Sequence, residues 1–404
     1  MNKKRIAVFF GGRSFEHDVS IITGLEVLNS LDSTRYDAFP VYVDLDGFWW
    51  TGDALLNRQN YHLTDEIKKK LTRVILPVGE QKPLLRPVLK GFGSGLFGGR
   101  KDIAFDLAFL AFHGDYGEDG CFQGLMETAQ VPYSGCRVLS SSVFMNKAVA
   151  KKALKSAGIP VLEDVLICRP DAKTFPDIAE LTKDIRLPFP LLVKPNALGS
   201  SVGIHKVSTQ EELQAAVLQI FSLNADALVE PFVENLEEYN ISVTKVFGQT
   251  CSSVIERPLK DKSPVLGFAE KYLAGGGTKG TKSAQADSQG MLSLTRVFNP
   301  PELTDDEKKN IRSWAETAFN ALFTTGVVRI DFLCNSKTKE FYLGEVNTIP
   351  GSFAFYLWEA SETKKAYPEL LSSLIEEGFS EYEKRNAFPI HLTESKIFNR
   401  NKPE

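Results

Sequence analysis

The chain has 404 residues, 43% hydrophobic and 11% aromatic, which is too much core material for a disordered chain and more length than one core usually serves. Its 47 basic and 51 acidic residues give a formal charge of -4, and the largest basic block, Lys68 to Lys70 in DEIKKKLTR, reads as a solvated helix face, which argues against nucleic acid. Five scattered cysteines without a CxxC pair argue against a disulfide framework, and no apolar run is long enough for a signal segment or membrane span, so a reducing cytoplasm is the expected compartment.

In chain order, Arg5 to Phe10 (RIAVFF) is a short apolar run ended by Gly11-Gly12, and SIITGLEVLNSL after it carries apolar residues at helical spacing. Strand, glycine turn, helix opens a parallel α/β unit. AFPVYV (Ala38 to Val43) and AFDLAFLAF (Ala104 to Phe112) read as further buried strands, the second leading through HGDYGEDG into a helix, CFQGLMETAQ. Residues 1 to about 125 therefore form a doubly wound, parallel-sheet, Rossmann-like domain. A helix starting near Ser141, with a serine N-cap, stops at Gly158 and Pro160.

Beyond that point the period changes. FPLLVKP, GIHKV, DALVEPFV, EYNISVTKVF, GVVRIDFLC and EFYLGEVN read as strands joined by hairpins, punctuated by the helices EELQAAVLQIF and DDEKKNIRSWAETAFNALF. An α+β unit with an antiparallel sheet follows the parallel one. Gly91 to Gly99 and Leu273 to Gly290 are glycine-rich loops, the second long enough to act as a lid. From Phe379 the chain becomes a charged, weakly patterned tail.

Arg329 and Asp331 share one face of the strand VVRID, and Glu345 and Asn347 share one face of EFYLGEVN. Pairing about the turn CNSKTK brings Asp331 opposite Glu345. Two facing carboxylates repel unless a cation stands between them, and two carboxylates plus an amide oxygen suit magnesium. The other reading is a strand pair that Arg329 neutralises. VKPNALGSSVG supplies a phosphate cradle: Lys194 ends a strand, and Gly199, Ser200, Ser201 and Gly203 form a small-residue loop, with Lys147 on the helix upstream.

Three motifs do not survive their context. Gly199 to Gly203 fits the GxSxG nucleophile elbow of α/β-hydrolases around Ser201, but IHKVS after it reads as a returning strand where the elbow needs a helix. GGGTKGTKS has Thr281 where a Walker loop needs its lysine to follow glycine directly. FFGGRSFE lacks the third glycine of a dinucleotide fingerprint. What stands is a nucleotide-dependent transferase or ligase.

FFGGRSFEHDVS, AFHGDYGEDGCFQGLMETAQVPYSG, MNK, VKPNALGSSVG, EKY, GVVRIDF and EVNTIPG occur in an order and spacing that resembles the D-alanine-D-alanine ligases of the ATP-grasp superfamily, from about Ile6 to Leu374. The resemblance implies an ATP-grasp fold: the N-terminal domain 1–125, a central subdomain 126–227 and a C-terminal subdomain 228–378 with lid 273–290, then the tail 379–404. It implies ATP held between the two α+β subdomains, with Lys147, Lys194, Ser201 and Lys271 at the phosphates and Glu230 and Glu238 at adenine and ribose. Asp331, Glu345 and Asn347 would carry two magnesium ions, or manganese in their place. Glu16 and His113 would anchor the first amino acid, Ser200 and Tyr272 would join Glu16 in a hydrogen-bonded set that closes the lid, Arg329 and Lys271 would steady the transferred phosphoryl group, and the Gly351 N–H would hold the oxyanion.

The implied reaction makes an acyl phosphate from a carboxylate and ATP, which an amine then attacks; the implied product is the D-alanine dipeptide used for peptidoglycan, made by a cytoplasmic homodimer acting on small amino acids. One stretch departs from the family pattern. After EVNTxPG the family continues with Thr-x-x-Ser, whose hydroxyls help hold the second amino acid; here Phe353 and Tyr356 stand at those places, followed by Leu357. That leaves open a ligase with a different acceptor amine, and leaves the aromatic run 353–358 as either acceptor pocket or core packing.

Overall fold

The computed structural model describes residues 3–88, 101–171, 177–199, 203–259 and 296–387. Strand β1 (Lys4–Gly11) lies between β2 (Tyr36–Val43) and β7 (Leu107–Leu110), parallel to both. With a partner on each edge it has no solvent side, which is why its sequence is apolar without alternation: Ile6 to Phe10 are wholly buried. Gly11 ends the strand at φ 92°, and a β-carbon there would stand 2.2 Å from the Val43 carbonyl oxygen, so the turn into the helix His17–Ser30 requires glycine.

The expected parallel sheet is only partly realised. β3 (Trp49–Thr51), β4 (Thr72–Ile75), β5 (Leu84–Pro87) and β6 (Ile103–Ala104) continue from β2 as an antiparallel meander, giving the order β6-β5-β4-β3-β2-β1-β7. Strands this short carry too few alternations to be read against the turns around them. The helix Asp65–Lys70 has no buried residue, as its charge run predicts.

A second sheet, β10-β9-β11-β8, is antiparallel and built from β8 (Val165–Ile167), β9 (Leu191–Pro195), β10 (His205–Val207) and β11 (Ala227–Pro231). The helix Gln210–Ser222, capped by Thr209, lays Leu213, Val217 and Ile220 over it. The third sheet runs β14-β13-β12-β15-β16, from β12 (Leu236–Thr244), β13 (Cys251–Pro258), β14 (Arg296–Phe298), β15 (Val327–Asn335) and β16 (Glu340–Asn347). Alternation decides its two faces. Tyr239, Ile241, Val243, Val328, Ile330 and Phe332 point into a core closed by the helix Asp305–Ala321, whose start is fixed by a Thr304–Glu307 capping box. Asn240, Ser242, Thr244, Arg329 and Asp331 therefore point the other way.

Several expected boundaries move. Ser141 is not an N-cap: it lies buried within a helix Val138–Met145, the chain breaks at Asn146, and the Asn146 Oδ1 accepts from the Val149 N–H at 3.1 Å to start a second helix, Lys147–Ser156. The limits expected at 125, 227 and 378 each fall inside an element, Cys121–Thr128, β11 and the last helix Tyr367–Asn386. β11 hydrogen-bonds to β9 and β8, so the change of sheet comes between Pro231 and Leu236. The tail expected from Phe379 begins as eight further residues of that last helix. This helix returns to the first domain, where Leu370, Leu371, Leu374 and Ile375 share a core with β1 and β7. Gly378 allows the approach, because a β-carbon there would stand 2.6 Å from the Tyr133 carbonyl oxygen. The loops 91–99 and 273–290 lie outside the described residues, as do Ser200, Ser201, Lys271 and Tyr272.

Candidate active site

The polar face of the third sheet carries the first part of the site. In the β15–β16 register Asp331 stands opposite Glu345 and Arg329 opposite Asn347. A bulge at Gly344 makes this work: Leu343 pairs with Phe332 on the core face, and the extra residue turns Glu345 to the polar one. Arg329 donates to both oxygens of Asp331, from Nε at 2.7 Å and Nη2 at 2.8 Å, and the Asn347 amide reaches Asp331 Oδ2 at 3.3 Å. The polar line continues across the sheet, with Asn240 opposite Asp331 and Glu256 opposite Asn240.

Among the described residues no three His, Cys, Asp or Glu side chains converge as a metal cage. An ion here would rest on two carboxylates, the Asn347 amide oxygen and oxygens of a ligand or water, which is the donor set of a hard cation that shares phosphate. The facing pair fits such a cation: Asp331 and Glu345 stand opposite each other on one face with the Asn347 side chain beside Asp331, so their oxygens share one side of the sheet.

Facing this sheet is the loop that follows β9. Asn196 anchors it, accepting from the Ala148 N–H at 2.9 Å through Oδ1 and from the Lys147 N–H through its carbonyl, so the loop is fixed to the start of the helix Lys147–Ser156. The Lys147 ammonium turns onto the same loop and donates to the Leu198 carbonyl at 2.8 Å. Burial draws it below the usual lysine range, with Glu345 and Glu16 opposing and Lys194 adding to the fall. Lys194 meets Glu230 at 2.7 Å, and Lys151, one turn after Lys147, meets the other Glu230 oxygen at 2.5 Å. Burial pushes the Glu230 carboxyl up, but the two ammoniums win and hold it below the ordinary range. Glu238 lies half-buried on β12, two residues before Asn240 and on the same face.

From the first domain come Glu16 and His113. Glu16 is the N-cap residue of the first helix, and its carboxylate lies so close to Gly199 and Gly114 that a β-carbon on either would stand 2.6 Å from Oε2. His113 is buried and its Nε2 pairs with Thr23 Oγ1 at 2.8 Å. Burial pulls its pKa down to about 4, with Arg329 adding to the fall and a backbone hydrogen bond at Ile349 opposing it, so the imidazole is neutral at pH 7. Lysines, Gly199 after β9, an arginine and facing carboxylates thus meet across one cleft, an arrangement suited to phosphoryl transfer.

Comparison with known proteins agrees. The family model described as D-ala D-ala ligase N-terminus matches residues 5–136, and the one described as D-ala D-ala ligase C-terminus matches 153–376. The chain belongs to the D-alanine-D-alanine ligase family. A D-alanine--D-alanine ligase of Thermosipho melanesiensis is 31% identical over 393 residues, 97% of this chain and 98% of that protein. Among solved structures, the D-alanine-D-alanine ligase from Coxiella burnetii superposes with a TM-score of 0.74 at 26% identity, over 96% of this chain and 97% of that one. The VanG D-Ala:D-Ser ligase from Enterococcus faecalis gives 0.70 at 25%, over 93% and 100%.

Against this ligase family the run 353–358 becomes interpretable. Ser352, Phe353 and Ala354 all take left-handed backbone, φ 47°, 56° and 49°, at a cost of about 1–2 kcal/mol each. Burial of Phe353, Phe355, Leu357 and Trp358, at about 2 kcal/mol per side chain, outweighs that strain. Phe353 packs edge-on to Phe109 at 5.3 Å, Phe355 stacks on Tyr367 and the Trp358 indole donates to Ser242 Oγ at 2.9 Å. Tyr356 differs from these neighbours: its hydroxyl donates to Glu256 Oε1 at 2.9 Å while the Arg296 guanidinium lies 4.0 Å from its ring centroid and bonds the other Glu256 oxygen.

Sequence reasoning missed Lys151, Glu118, Glu256 and Arg296. Lys151 had a signal, a lysine four residues after Lys147 on the same helix face. Glu256 and Arg296 had none, because only the sheet order places them beside Tyr356. The strand-to-strand hairpin of β9 and β10 removes the nucleophile elbow around Ser201. No helix among the described residues is long and apolar enough to cross a membrane.

Proposed function

We propose that this chain is the ATP-dependent ligase that joins two D-alanine molecules, acting in the cytoplasm as a homodimer with two magnesium ions, and that its three units change between elements, after Thr128 and after Pro231. The observation that carries the reading is the contact of Glu16 with Gly199: the group expected to anchor the first amino acid comes from the first domain and abuts the loop after Lys194 that would cradle phosphate.

In this reading Lys147 and Lys194 hold the phosphates, and Lys151 keeps Glu230 paired when Lys194 turns from it to ATP. Glu230 and Glu238 line the adenine and ribose end. Magnesium held by Asp331, Glu345 and Asn347 would neutralise phosphate charge when bound. Arg329 faces the transferred phosphoryl group, and Glu16 and neutral His113 orient the first D-alanine. Its carboxylate oxygen attacks the γ-phosphorus and ADP leaves; the amine of the second D-alanine then attacks the acyl carbonyl, loses a proton, and phosphate departs with that carboxylate oxygen. The Gly351 N–H would face the oxyanion of this second step. Ser201 and Lys271 would serve the phosphates, Ser200 and Tyr272 would join Glu16 in the set that closes the lid 273–290, and the closed lid would exclude water.

The hydroxyl of Tyr356, held by Glu256 beside Arg296, favours a second reading in which the same ligase prefers another acceptor amine. The purified protein, given ATP, magnesium and D-alanine alone or paired with other amino acids, decides between them. D-alanine alone yielding its dipeptide and equimolar ADP is the expected result; ADP release only with a mixed pair would establish the altered acceptor, and ATP binding without amino-acid-dependent ADP would reduce the chain to a nucleotide sensor.

A further inference from the structure

Glu118, in the GEDG stretch, has no part in the roles assigned above, yet its carboxylate accepts three backbone N–H bonds. Its Oε2 accepts from the Gly114 N–H at 3.1 Å, the residue after His113. Its Oε1 accepts from the Thr348 N–H at 3.1 Å and the Ile349 N–H at 3.2 Å, the two residues after Asn347. The Thr348 hydroxyl closes the set by donating to the Glu118 carbonyl at 3.2 Å. We infer that Glu118 is a positioning residue whose carboxylate spans the first-domain loop at His113–Gly114 and the third-sheet loop at Asn347–Gly351, and so fixes the distance between donor anchor and phosphoryl-transfer site.

Ordinary fold maintenance is a poor explanation for this choice of residue. The group is buried and shares its surroundings with the carboxylates of Glu16 and Glu345, which together push its carboxyl up to about 7 against the pull of the backbone donors. A neutral side chain could bridge two loops without that repulsion. In its ionised form the group offers acceptors in two directions and no donor, which suits two inward-facing N–H sets from different units. Reacting groups held on separate units lose about a hundredfold in rate for a misplacement on the order of 1 Å.

The inference rests on the ligase reading for what the two loops do, and on geometry alone for the clasp. Its test uses the full chain and the substitutions Glu118→Asp, which is too short to span both loops, and Glu118→Gln, whose amide oxygen can still serve Thr348 and Ile349 while its NH2 opposes the Gly114 N–H. Two readouts are taken: amide hydrogen exchange at Thr348 and Ile349 without substrate, and kcat with KM for ATP. For Asp the inference predicts exchange about tenfold faster or more at both amides and kcat about a hundredfold lower with KM for ATP within about threefold; Gln falls between Asp and wild type. Unchanged exchange in both variants overturns the clasp. Faster exchange with wild-type kcat overturns its role in positioning. Should the wild-type chain make no dipeptide, the ligase reading fails by that result, and the exchange measurement still decides whether Glu118 holds the loop.

Discussion

His113 shows how one residue's surroundings set both chemistry and stability. Buried between Thr23 and the Ile349 backbone, near Arg329, it has a folded pKa of about 4 against about 6.5 when unfolded. The unfolded chain binds the proton more readily, so this group's contribution is complete above pH 6.5 and is lost as pH falls toward 4. Moving from pH 7 to pH 5 costs about 2 kcal/mol at this site. Denaturant unfolding of His113→Asn at the two pH values should show a pH dependence smaller than wild type by that amount; an identical dependence would mean that the imidazole is not held neutral. The motif HGDYGEDG announces a functional loop, but not that its histidine is buried and uncharged, because Thr23 reaches it from a helix ninety residues earlier in the chain.

At the scale of elements, the β15–β16 hairpin is the most legible part of the site. VVRID and EFYLGEVN each put their charged residues on one face, and the turn between them sets the register, so the residue pattern alone places Asp331 opposite Glu345. The bulge at Gly344 is not legible in this way, since nothing but the pairing itself distinguishes that glycine from a strand interior one. The facing carboxylates make a prediction for Glu345→Gln. The magnesium concentration for half-maximal ADP release should rise about tenfold or more, because an ion has lost a charged ligand. A magnesium titration that leaves the midpoint unmoved would remove Glu345 from the metal site. Other elements are hidden by context: the single helix expected from Ser141 is two, since Asn146 caps within a run whose periodicity reads as continuous.

For the whole molecule, three sheets and a returning C-terminal helix bring distant stretches to one cleft: Glu16 and His113 from the first sheet, Lys194 from the second, Asp331 and Glu345 from the third. Sequence reasoning recovers a parallel α/β part followed by antiparallel α+β sheets because each motif carries its own local signal of strand, loop or turn. It does not recover what depends on one unit meeting another. The burial of the run 353–358 against the first sheet and the Lys151–Glu230–Lys194 clamp are contacts between segments far apart in the chain, whereas the antiparallel extension of that sheet is hidden by the shortness of its consecutive strands. The central claim is that this cleft activates a carboxylate by taking the γ-phosphoryl group of ATP. Turnover of D-alanine labelled with oxygen-18 in its carboxylate tests it most directly: mass spectrometry of the released phosphate should show one labelled oxygen per dipeptide formed. Dipeptide or ADP formed with unlabelled phosphate would contradict the acyl-phosphate route and with it the roles assigned across the cleft.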